Sequence, residues 1–244
     1  MTRRREQPGR TRWRFLRPGL WFSFIRRVAR DADARIFGTE YAQYHRVLRE
    51  LVLDGGCRSV LDVGCGESSP IAFMAADIPL RVGVDVHLPS IEKSRAAGIH
   101  SDYVVMNVLE IGSRFPPGSF DCVTLLEVIE HLPRSDGDAL LAQCERIARK
   151  KVVLSTPNGF VEQPPTRENR FQEHVSGWTA ADIRSRGYRA TGVAGLMFLR
   201  GPLMRPKWRP HALFRRISLL TERWAENRPD KAFQILCIKK IPAQ

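Results

Sequence analysis

Hydrophobic residues come in short blocks separated by glycine, proline and charged positions. Residues 59–63, 80–85, 103–107, 121–126, 151–156, 188–196 and 233–240 are apolar runs of strand length. Helical spacing fills the gaps. Residues 47, 48, 51 and 52 make one stripe, 140, 141 and 147 another within residues 138–149, and 89–97 and 179–186 read as helices too. Punctuation agrees: Asp54-Gly55-Gly56, Gly98 and Gly187 stop helices, and Thr179 starts one. Residues 71–76, after Pro70, read as a further helix with Ser68 as its N-cap, and residues 20–53 as helical with a break at Phe37-Gly38. Strands alternating with helices predict an α/β fold with a mostly parallel sheet. Val123-Thr124-Leu125-Leu126 suits a strand buried on both faces of it.

The first strand runs directly into Gly64-Cys65-Gly66. Strand, glycine turn and helix form the first half of a nucleotide-binding unit, in which glycine admits positive φ and close ligand approach. The N–H groups at the helix start are expected to face a carboxylate or phosphate. A second strand ends in Asp85, 19 residues after Gly66. An acid there can accept two hydrogen bonds from a ribose diol.

Leu61-Asp62-Val63-Gly64-Cys65-Gly66 resembles the first motif of the class I S-adenosylmethionine-dependent methyltransferases, and Val82-Gly83-Val84-Asp85 their second. Residues 120–132 are similar to the segment around their fourth strand. The resemblance covers roughly residues 57 to 200. It departs at Ser68, where the family usually has a third glycine, and at Asn107, where it often has an acid. It implies a Rossmann-like seven-stranded, mostly parallel sheet with the last strand antiparallel. It also implies S-adenosyl-L-methionine as cofactor, held by Asp62, Gly64, Cys65, Gly66, Asp85, Val86, Asn107, Val108 and Glu127. Asn107 would meet the adenine amino group through its carbonyl oxygen, and Val108 would add an N–H and an apolar wall.

Glu127-x-x-Glu130-His131 falls at the end of the fourth strand, where the two acids share a face if the segment is helical. The cluster resembles that of ubiquinone-biosynthesis O-methyltransferases, where acids and histidine can hold a divalent metal. A polar turn is the simpler reading, and no metal is assigned. His131 and His174 are the candidate general bases, because neutral imidazole titrates near working pH. His174 lies in a polar loop, residues 160–178, of a length usually tied to function. Tyr41, Tyr44 and His45 precede the first strand; core packing is the simpler role for each.

Composition adds partners. Thirty-nine basic and 26 acidic side chains give a net charge of +13, which calls for an anionic partner. Aromatic residues interleave with arginines in residues 1–27 and again in 197–231. That mixture suits an anionic membrane surface and equally suits RNA stacking. Five scattered cysteines without a CxxC pair suggest free thiols in a reducing cytoplasm. No apolar run reaches the ~18 residues of a spanning helix, and 20–25 is too short for a secretory signal.

The domains expected are a basic disordered arm over 1–19, a helical extension over 20–56, and a methyltransferase domain over 57–244 with a basic aromatic insertion at 197–231. The expected protein is a cytoplasmic methyltransferase, peripheral at the inner membrane face. Its acceptor is a small or lipid-linked molecule, with oxygen preferred. RNA methylation is the first alternative; Thr156-Pro157-Asn158-Gly159 differs from the Asn-Pro-Pro-Tyr motif of nucleobase amino methylation. A non-catalytic module keeping the fold is the second, and an NAD-dependent dehydrogenase the third.

Overall fold

The computed structural model describes residues 41–201 and 205–242. The predicted basic arm and the helix before residue 41 lie outside the described residues. Residues 40–244 make one compact unit. Its strands are β1 (Ser59–Val63), β2 (Leu80–Asp85), β3 (Asp102–Val105), β4 (Phe120–Leu126), β5 (Ala148–Pro157), β6 (Arg189–Leu196) and β7 (Ala232–Lys240). Its main helices are α1 (Ala42–Leu53), α2 (Leu88–Ala96), α3 (Arg134–Ile147), α4 (Ala180–Arg184) and α5 (His211–Glu226).

The sheet order is β3-β2-β1-β4-β5-β7-β6, and β7 runs antiparallel to both of its neighbours. The seven-stranded, mostly parallel sheet expected from the sequence is therefore present. The chain leaves β1 toward β2 on one side and later returns to β4 on the other. This reversal opens a crevice at the carboxyl ends of β1 and β4.

Strand periodicity of two divides the core. Leu61, Val63, Val123, Leu125, Val152 and Leu154 face one apolar cluster, with α3 and Trp178. Val60, Cys122, Leu126 and Val153 face the other, with α1, Ile71 and Met74. β1 and β4 are buried along their whole length, as their apolar runs required. The stripe at 47, 48, 51 and 52 is the buried face of α1.

Three elements differ from expectation. Residues 71–76 do not form an α-helix; Pro70–Met74 is one 3-10 turn, capped by Ser69 and not Ser68. The chain must reach β2 at Leu80, and one turn already buries Ile71 and Met74. α3 begins at Arg134 instead of 138 and gives way to β5 at Ala148. Its first turn carries no apolar signal. The basic insertion contains α5, which sequence periodicity did not pick out, because its buried positions include Ser218 and Glu222.

Trp178 ties α3 to the long loop. It is fully buried, and its indole N–H donates to Ile129 O (3.1 Å) and Ser176 Oγ (2.9 Å). A Cβ at Gly137 of α3 would stand 2.5 Å from the ring. Gly137→Ala should therefore destabilise the fold, although alanine gains roughly 1 kcal/mol of helix propensity. Urea unfolding should show a net loss of about 1–3 kcal/mol; a more stable variant would mean the ring can move aside.

Candidate active site

The glycine turn is strapped to the end of β2. Gly64 and Cys65 both donate backbone N–H groups to Val84 O (2.8 and 3.0 Å). Gly66 N–H donates to Asp85 Oδ2 (2.9 Å), and Asp85 Oδ1 accepts from His87 N–H (2.8 Å). The N–H groups of Gly64, Cys65 and Gly66 are thus engaged by β2. What the turn supplies is room. Gly64 and Gly66 sit at φ 71° and 56°, and a Cβ on Gly66 would meet nothing within 4 Å. On Gly64 it would stand 2.6 Å from Val128 Cγ2.

Asp85 is only half-buried, and each of its oxygens retains capacity for one more hydrogen bond, enough for a diol. Val105 is the register partner of Asp85, and Val105 and Val86 are both exposed apolar walls (50% and 38%). Asn107 is exposed and caps the 3-10 turn Val108–Glu110; its carbonyl oxygen already accepts from Leu109 N–H (3.0 Å). Val108 packs part-buried on the core beside it.

Two residues expected at the cofactor face inward instead. Asp62 is 1% exposed, and its carboxylate accepts from Thr124 Oγ1 (2.6 Å), Ser69 Oγ (2.6 Å) and His100 (2.9 Å). It braces the turn from behind. The Cys65 side chain is buried, and burial pushes its thiol well above the ordinary range. Sequence reasoning missed His100, Ser69 and Thr124. Nothing local marks His100 and Thr124, because they lie 38 and 62 residues from Asp62; Ser69 is only seven residues away, but its side chain was hidden in the turn expected to cap at Ser68.

The acidic cluster sits in a tight turn, not on a helix face. Glu127 takes a left-handed conformation (φ 59°), and Ile129–His131 is a 3-10 turn. Glu127 Oε1 accepts from Ser155 Oγ and Gln234 Nε2 (2.7 Å each). Ser155 has one hydrogen, given to Glu127, so the Tyr44 hydroxyl must donate to Ser155 Oγ (2.9 Å). Tyr44 therefore serves core and site together, whereas Tyr41 is half exposed. Glu130 is buried, and neither of its oxygens makes a hydrogen bond of normal geometry. Burial first, then the nearby Glu127 charge, pushes its carboxyl well up; burial pushes Glu127 up as well.

The long loop is stapled to this turn. Val175 and Ser176 donate backbone N–H groups to Glu130 O (2.9 and 3.1 Å). His174 is thereby set beside His131, with ring centroids 4.8 Å apart and an edge-to-face tilt. His131 Nδ1 bonds Glu173 O (2.9 Å), and His174 Nδ1 bonds Val161 O (2.7 Å). A carbonyl only accepts, so both Nδ1 atoms carry hydrogen and both Nε2 lone pairs are available. Burial lowers both imidazoles below their ordinary value, and the neighbouring His174 lowers His131 further. One ligand atom from each of Glu130, His131 and His174 lies within 4.8 Å of the others. That donor set, with carbonyls orienting both rings, fits a divalent cation.

A hollow of about 270 Å³ adjoins His174 through Val161. Phe160, Met197 and Phe233 supply its apolar wall, and Asn158, Glu162 and Arg200 its polar groups. A larger hollow of about 520 Å³, between Leu109 and Arg146, contains none of the acids or histidines of the site.

Sheet order, glycine turn and the acid closing β2 define the class I S-adenosylmethionine-dependent methyltransferase fold. Residues 61–155 match the family model described as a methyltransferase domain. A ubiquinone biosynthesis O-methyltransferase of Xanthomonas oryzae pv. oryzae is 34% identical over 115 residues, covering 43% of this chain and 46% of that protein. The chain thus spans about half the length of the curated relatives it matches. Among solved structures, a SAM-dependent methyltransferase from Archaeoglobus fulgidus aligns over 90% of this chain and 99% of its own, with TM-score 0.53 and 18% identity. The N-methyltransferase NodS from Bradyrhizobium japonicum, in complex with S-adenosyl-L-homocysteine, aligns over 84% and 88%, with TM-score 0.53 and 13% identity. No helix among the described residues is long and apolar enough to cross a membrane. All five cysteines are free and buried.

Calorimetry tests the cofactor crevice. Asp85→Ala should weaken S-adenosylmethionine binding roughly tenfold or more, the loss of about 1.4 kcal/mol. Asp62→Asn should instead lower the melting temperature. An Asp85→Ala chain with unchanged affinity would show that the ribose lies elsewhere.

Proposed function

We propose that the protein transfers the methyl group of S-adenosylmethionine to an oxygen of a small, largely apolar acceptor, lipid-linked in its non-reacting part. The observation that carries this reading is the neutral His131–His174 pair with available Nε2 lone pairs, whose His174 ring is held at Nδ1 by Val161, a wall residue of the mixed polar and apolar hollow. The name of the curated relatives favours oxygen as the receiving atom.

When bound, the cofactor supplies a methyl group on a cationic sulfur. Asp85 accepts from the ribose hydroxyls, Val86 and Val105 wall the base, and Asn107 and Val108 border it. Gly66 leaves room for the methionine portion, Gly64 lets Val128 pack against the turn, and Glu127 shapes the floor at the end of β4. An oxygen acceptor must lose its proton, and His131 or His174 takes it at Nε2. Phe160, Met197 and Phe233 exclude water and align the acceptor, and such alignment contributes about 7–11 kcal/mol in well-oriented systems. Glu130, His131 and His174 are the residues that would hold a divalent metal; it would occupy the Nε2 lone pairs and, in place of an imidazole base, would favour the ionised acceptor oxygen.

Radiolabelled cofactor supplied to lipid and aqueous extracts should place label on a hydroxyl-bearing, organic-soluble acceptor. His131→Ala and His174→Ala should each lower kcat about 100-fold while cofactor affinity is kept. Because burial depresses both imidazoles, the base form persists to low pH. kcat/KM should therefore stay flat above about pH 6.5 and fall only as pH drops through a lower value. Label appearing in RNA alone, or histidine variants with full turnover, would refute this assignment.

A further inference from the structure

The insertion between β6 and β7 presents one face that the proposed transfer does not use. α5 lies so close on β6 that a Cβ at Gly192 would collide with Ala225 O. The helix is therefore firmly seated by Ser218, Leu219, Glu222 and Ala225. Both of its acids point toward the domain: Glu222 is buried, and Glu226 accepts from Arg46 (2.5 Å) and Gln43 (3.2 Å) of α1.

The outer face carries Leu213, Arg216, Leu220, Arg223 and Trp224, all exposed and none acidic. At about 100° per residue, Leu213, Leu220 and Trp224 fall within about 40° of one another, with the two arginines along one edge. Leu220 is 69% exposed. The Arg228 guanidinium covers the Trp224 ring at 4.4 Å. Just upstream, exposed Trp208 stands between Lys207 and Arg209, and its indole donates to the carbonyl of exposed Phe198 (3.3 Å).

A helix already anchored through its inner face gains no fold stability from a second apolar stripe. Aliphatic and indole side chains flanked by arginine are the composition of an interfacial helix, where rings and leucines enter the head-group boundary and guanidinium groups meet phosphates. Leu213 and Leu220, two of the three residues of the stripe, offer no stacking plane to a nucleic acid base, and the ring of the third, Trp224, is already covered by Arg228. A two-fold contact between copies would set these arginines against each other on a chain of net charge +13.

We propose that α5 and the Trp208 turn dock the protein on an anionic lipid bilayer. The hollow lined by Met197 and Arg200 belongs to the root of the same insertion. The proposal does not rest on methyl transfer, and its readout is binding alone.

The full chain should co-sediment with vesicles containing phosphatidylglycerol and do so at least about tenfold less with pure phosphatidylcholine, each basic contact contributing ~1 kcal/mol. Added salt should weaken the binding. Leu220→Glu and Arg223→Glu should each cut vesicle binding about fivefold or more while melting temperature and cofactor affinity stay at wild-type values. Wild-type protein that ignores anionic vesicles overturns the proposal. So do variants that sediment like wild type, which would leave binding to residues outside α5. RNA binding, or a dimer, that depends on Leu220 in a chain without vesicle affinity also overturns it.

Discussion

The Asp62 carboxylate, buried under the glycine turn, is the interaction on which the crevice depends. It reaches Thr124 on β4, Ser69 at the capped 3-10 turn and His100 before β3. One charge thereby fixes the separation of β1 from β4 and the position of the chain that leaves β1. A buried carboxylate is costly unless its lone pairs are filled, and three donors fill them here. Removing the acid would orphan those three groups together. With this brace in place, Gly64 and Gly66 can hold left-handed conformations while their N–H groups stay bonded to β2. The crevice remains open because its rear wall is rigid.

Much of this was legible in the sequence because it rests on local rules. Apolar runs marked all seven strands, six of them within two residues at either end and β5 three residues late at its start, and the two glycines and Asp85 fell where a strand-turn-strand unit needs them. What stayed hidden depends on contacts distant along the chain. Asp62 and Asp85 look alike as strand-borne acids, yet one points into the core and the other toward the crevice. The difference is made by Thr124 and His100, 62 and 38 residues away. The helix expected after the turn shortened to one 3-10 turn because the room before β2, not propensity, sets its length. α5 escaped notice because its inward face carries Ser218 and Glu222, which blur the apolar period. His131 and His174 were both named as candidates, but only the stapling of Val175 and Ser176 to Glu130 O explains why they meet.

The site concentrates features that a sheet alone would not retain. A non-glycine residue in the left-handed region costs of order 1–3 kcal/mol, and Glu127 takes that conformation at the end of a fully buried strand. Beside it, Glu130 is buried without normal hydrogen-bond partners. A leucine there would pack at least as well and would remove the desolvation cost of the acid. Both penalties fall at the reversal of strand order, where ligands bind in sheets of this kind. They are offset by the packing of β4 between two cores, which tolerates a strained terminus because its seven residues are already enclosed. The physical sense is one of preorganisation. The strand end is held so that two acids and two neutral imidazoles converge without waiting for a ligand to gather them, and a hydroxyl or a cation entering that space finds oriented lone pairs in place of mobile water.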